Sequence, residues 1–107
     1  MPTIGSVTKR QDGRYEGELR TLSVRAEISI LPVVDKNSPN QPDFRVVSQG
    51  IEIGAGWNRT GQMSGKEYVS LSISAPELGP RTLYANLGRA AGQTDPDMYA
   101  LIWNPQD

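Results

Sequence analysis

A chain of 107 residues has the size of one domain, and its 36% hydrophobic content suffices for a small core. The absence of cysteine and histidine removes disulfides, thiolate metal sites and the commonest general base at neutral pH. Eleven Lys plus Arg against 12 Asp plus Glu leave a net charge of −1, so no global positive field draws the chain to nucleic acid or to an anionic membrane.

Glycine and proline, 11 and 8 residues, cut the chain into short alternating segments. Ile4 to Lys9 reads as a strand ended by the turn Gln11-Asp12-Gly13, a strong hairpin signal. Arg14 to Leu19 follows, with Tyr15, Gly17 and Leu19 on one face and Glu16 and Glu18 on the other. Over Thr21 to Leu31, alternation puts Leu22, Val24, Ala26, Ile28 and Ile30 on the core face. A helix would leave Val24 and Ile28 off its stripe, so a strand is predicted, ended by Pro32. Asp35 to Asp43 is a polar, proline-containing loop.

Phe44 to Ser48 is the next strand. Parity then turns Ile51, Ile53, Ala55 and Trp57 inward, with Gly54 and Gly56 opposite. Two glycines on one strand face signal close backbone approach, a bulge or a ligand surface. Arg59 to Gly65 is a hairpin loop, and Lys66 to Ser74 is a strand with Val69, Leu71 and Ile73 inward and Tyr68, Ser70 and Ser72 outward. Pro76 to Pro80 breaks it. Arg81 to Leu87 sends Leu83, Ala85 and Leu87 inward and Tyr84 and Asn86 outward. Gly88 to Pro96 is a loop with one helical turn near Ala90-Ala91. Met98 to Trp103, apolar on both faces, is the last strand, and residues 104–107 form a loose tail. Eight short strands without a helix predict a single all-β domain over residues 1–107, a small antiparallel barrel or sandwich. Nothing from Met1 to Gly5 reads as a basic segment leading into an apolar run, and no segment is apolar enough to span a bilayer. The expectation is a cytoplasmic protein that does not enter membranes.

A set of segments carries a resemblance: Ile4-Gly5, Leu19-Arg20-Thr21-Leu22, Ile30-Leu31-Pro32-Val33 and Pro42-Asp43-Phe44-Arg45-Val46. It continues through Glu52-Ile53-Gly54-Ala55-Gly56-Trp57, Tyr68-Val69-Ser70-Leu71, Leu83-Tyr84-Ala85-Asn86-Leu87 and Tyr99-Ala100-Leu101-Ile102-Trp103. In this order, from Ile4 to Trp103, the chain resembles the bacterial "domain of unknown function 736" family. The resemblance implies a small cytoplasmic protein of the kind encoded on plasmids and other mobile genetic elements. It brings no activity that can be placed on residues. The chain departs from the family pattern in the loop Gly61 to Gly65, at Gly56, where alanine is commoner, and in the loop Gly88 to Pro96.

No motif reads as catalytic. Gly61-Gln62-Met63-Ser64-Gly65-Lys66 lacks the spacing, the Ser or Thr and the following helix of a phosphate loop, and reads as a hairpin turn. Glu16 and Glu18, flanked by Arg14 and Arg20, read as a solvated strand face. Asp95-Pro96-Asp97 lacks the further ligands of a calcium loop. No metal and no cofactor is expected. The constellation that points to a ligand is aromatic and basic: Tyr68 and Tyr84 outward, with Lys66, Arg25, Arg45 and Arg59 around them. Rings for bases and cations for phosphates are what single-stranded nucleic acid needs. The run from Trp57 to Leu71 is also similar, over one hairpin, to bacterial single-strand-binding proteins of the OB type. The expected function is non-enzymatic binding of single-stranded nucleic acid. The alternative is a protein-interaction module, an inhibitor, adaptor or counter-defence protein that binds a host or plasmid protein complex through an acidic or apolar patch, around Glu16, Glu18, Glu52 and Glu67, or through an open strand edge. A monomer and a homodimer paired through strand edges both fit the sequence.

Overall fold

The computed structural model describes residues 2–89, 92 and 94–105. Eight strands follow one another: β1 (Thr3–Lys9), β2 (Tyr15–Arg20), β3 (Arg25–Pro32), β4 (Phe44–Ser48), β5 (Ile51–Thr60), β6 (Glu67–Ile73), β7 (Leu83–Gly88) and β8 (Met98–Trp103). Each pairs antiparallel with the next, and β8 returns to β1 to close an up-and-down barrel. A 3-10 turn, Pro76–Leu78, stands where the proline-flanked break was expected. The predicted helical turn at Ala90-Ala91 lies outside the described residues, as does the end of the predicted tail at 106–107.

Closure settles two sequence expectations. The fold is a barrel and not a sandwich, and a closed sheet offers no free edge, so edge pairing is no route to a dimer. The likeness to an OB protein also falls away: an OB barrel is a five-stranded Greek key, whereas this one is an eight-stranded meander.

The barrel is filled by alternate residues of the strands, an alternation interrupted in β1, where Ile4 and Val7 are both buried, and in β5. Val7, Leu19, Ile30, Val46, Leu71, Ile73 and Leu101 are wholly enclosed. The apolar-on-both-faces ambiguity of β8 resolves with Leu101 inward, opposite Leu87, and Ile102 outward, opposite Asn86. One end is plugged by rings: Tyr15 meets Phe44 and Tyr99 edge-on, at 5.9 and 5.5 Å between centroids. Burial raises the Tyr15 phenol above its ordinary pKa. Lys9 and Arg89 lie against Tyr15 and Tyr99 from the solvent side. Residues 10–14, 33–43 and 61–66 connect strands at this plugged end.

Several predicted orientations are corrected, Ile51 among them: predicted inward, it is 64% exposed. Leu22 is not on a strand; it lies in the turn before β3 and is fully exposed. Trp57 is not inward. Pairing of β4 with β5 slips between Val46, opposite Gly54, and Val47, opposite Glu52, which leaves Ile53 as an extra residue. That bulge reverses the parity of the rest of β5. Gly54 and Gly56 therefore share a face with the core residues Ile73 and Leu71, while Ala55, Trp57 and Arg59 point out. The glycines are needed: a side chain at Gly54 would strike the Ser72 carbonyl, and one at Gly56 would come within 2.8 Å of Leu71.

Candidate functional site

The outward residues of β5, β6 and β7 form rows set by register. Arg45, Ala55, Ser72 and Tyr84 lie in one row. Trp57, Ser70, Asn86 and Ile102 make the next. Arg59 stands opposite Tyr68 in the third. These positions carry one formal charge on β5 to β7, that of Arg59, and no carboxylate. The Arg59 guanidinium sits 5.7 Å from the Trp57 ring centre, within cation–π range. Tyr68 is 36% exposed, enough to present a ring face. Strand spacing and rise put Trp57 roughly 12 Å from Tyr84.

Lys66 lies at the rim of this surface, in the hairpin between β5 and β6. There Gly61 N–H donates to the Lys66 carbonyl at 2.8 Å, and Lys66 N–H donates to Ser64 Oγ at 3.2 Å. The segment is a closed turn, as its sequence predicts. Arg45 is outward on β4 and reaches Glu52 at 3.5 Å, with both side chains more than half exposed. Arg25 does not join the group. It begins β3, opposite Arg20, on another side of the barrel. Of the predicted constellation, then, the fold gathers Arg45, Arg59, Lys66, Tyr68 and Tyr84 and leaves Arg25 apart. It adds Trp57, which parity counting missed because one bulge residue inverts the count. The paired glycines were the signal for that bulge.

Asp43 fixes the β3–β4 loop beside this surface. Its carboxylate accepts from Lys36 Nζ at 2.8 Å and from Asn58 N–H at 2.9 Å. The Lys36 hydrogen bond, then the Asn58 N–H, hold its pKa below the ordinary 3.8. The loop therefore brings its acid already neutralised.

The opposite side of the barrel has another character. Glu16, Glu18 and Glu27 point out from β2 and β3 around a shallow polar groove of about 450 Å³, with Ser6, Thr8 and Ser29. Arg10 pairs with Glu16 at 3.0 Å. Glu18 stands directly opposite Glu27. Glu52 and Glu67, the other acids of the predicted acidic patch, lie on β5 and β6 and do not join them. Among the described residues no three His, Cys, Asp or Glu side chains are grouped to hold a metal ion.

At the end away from the ring plug, an apolar hollow of about 550 Å³ opens between the turn before β3, the β4–β5 turn and the 3-10 turn. Leu19 and Ile73 form its floor, and Val24, Ile51, Ile53 and Leu78 its walls. No helix among the described residues is long and apolar enough to cross a membrane.

No curated protein and no solved structure matches the chain. A family model described as protein of unknown function (DUF736) matches residues 3–106, nearly the whole barrel. The chain belongs to that family.

Proposed function

We propose that the protein binds single-stranded nucleic acid without catalysis, across the outer face of β5, β6 and β7. The observation that carries this reading is the outward turn of Trp57 beside Arg59 and Tyr68, in rows whose outward residues on β5 to β7 (Ala55, Trp57, Arg59, Tyr68, Ser70, Ser72, Tyr84 and Asn86) include no carboxylate, the nearest being Glu52 and Glu67 at the margins. Bases stack on such rings irrespective of sequence, and Arg59, Lys66 and Arg45 stand where phosphates would pass. Tyr84 extends the track by one further ring. The setting implied by the family resemblance, the cytoplasm of a bacterium carrying a mobile element, belongs to the same proposal.

The test is an anisotropy titration with a labelled single-stranded oligonucleotide at low and moderate salt. Saturable binding is expected, with a log–log salt slope of about −2 for three phosphate contacts. Trp57→Ala and Tyr68→Ala should each weaken it at least about fivefold. No binding at low salt would sink the proposal. A second reading, protein binding through the acidic face, is favoured by one observation: Glu18 faces Glu27 with no cation between them. It predicts that Glu18→Lys abolishes association with a basic partner while leaving oligonucleotide binding unchanged.

A further inference from the structure

The apolar hollow at the open end has two neighbours that the proposed nucleic-acid surface does not explain. Leu22, next to the wall residues Ser23 and Val24, is fully exposed, and Ile51 on the other wall is 64% exposed. A hollow and a projecting leucine at one rim are the two halves of a knob-and-hole contact. Charge divides the same way. Arg20 and Arg25 stand opposite each other on the β2–β3 side, and like charges so placed repel across a strand pair. Glu77, in the 3-10 turn, and Glu52 line the other side. Arg20, Arg25 and Glu77 enter no ion pair among the described residues.

We propose that two copies of this chain meet at this end, each placing Leu22 in the hollow of the other. A two-fold axis brings the basic side of one rim onto the acidic side of its partner, so that Arg25 faces Glu77 twice. Such an interface is self-complementary, as an isologous dimer requires. The inference is independent of nucleic-acid binding, which uses the side of the barrel, and it gives Arg25 a place.

Sedimentation equilibrium from low micromolar to millimolar concentration tests it. The mass should rise from 11.7 kDa towards about twice that value. Leu22→Glu should weaken association at least tenfold; its side chain packs on nothing, so the fold survives. Met63→Glu, equally exposed at the plugged end, should leave association unchanged. Arg25→Glu and Glu77→Arg should each weaken it, and the double swap should restore it. A monomer throughout, as expected if a small apolar ligand or another protein fills the hollow, would overturn the proposal. So would equal effects of Leu22→Glu and Met63→Glu, or failure of the double swap to rescue.

Discussion

The outer faces of β1–β3 and β5–β7 are built by the same rule and come out opposite in chemistry. On β2 and β3 alternation runs unbroken, and every outward position of β2 is an acid or a base: Glu16, Glu18 and Arg20. On β5–β7 a single bulge residue inverts the count and sends a tryptophan out where a glycine was expected. The contrast teaches that a net charge of −1 is an average over unlike surfaces. An acidic side and an aromatic–cationic side cancel in the sum and not in space, so near-neutrality does not exclude a local polyanion site.

The largest expected effect tests the glycine-dependent register that turns Trp57 out. Gly54→Val would drive a side chain into the Ser72 carbonyl, and we expect a loss of about 3 kcal/mol in urea denaturation. A near-neutral result would mean that the β5–β6 approach is looser than described. Next, Ser70→Glu sets a carboxylate beside Trp57, while Ser29→Glu adds one to the acidic side. The first should weaken oligonucleotide binding about tenfold, roughly 1.4 kcal/mol, and the second about twofold or less. Equal losses would show that only net charge matters.

Asp43→Asn should cost about 1–2 kcal/mol at pH 7 through its hydrogen bonds to Lys36 and Asn58. Because folding lowers this pKa below 3.8, the stabilisation is complete above the unfolded-state value and is lost as pH falls through the folded-state one. Denaturation of both proteins between pH 7 and 2.5 should show the gap closing at the acid end; a constant gap would point to packing instead. The smallest effect is Glu27→Gln, which relieves the opposition to Glu18 and should stabilise by about 0.5 kcal/mol, readable as a small rise in Tm.

All eight strands were legible because alternation between Gly and Pro breaks is a local signal, clearest over Ala26 to Ile30 and Val69 to Ile73. Closure of the sheet was not, because the pairing of β8 with β1 joins the two ends of the chain. The tight β4–β5 turn also escaped notice: Gln49 and Gly50 both take positive φ, 53° and 79°, and glutamine is not a residue that announces such a turn. At the site, Tyr68 and Tyr84 followed from parity within single strands, whereas Arg45 and Arg59 were grouped only as neighbours of Gly54, Gly56 and Trp57, and Arg59 stands on β5 and not in the hairpin loop. Trp57 was misplaced because a bulge shifts register without altering composition. Arg25 was misgrouped because parity tells in from out but not which side of a cylinder a strand occupies.

The central claim is that nucleic acid contacts one side of this barrel and not the other. Amide chemical-shift mapping during titration with a single-stranded oligonucleotide tests it most directly. The account predicts shifts concentrated on Ala55 to Thr60, Glu67 to Ser72 and Tyr84 to Gly88, with residues of β2 and β3 silent. Shifts centred on Glu16 to Glu27, or spread evenly around the barrel, would contradict it.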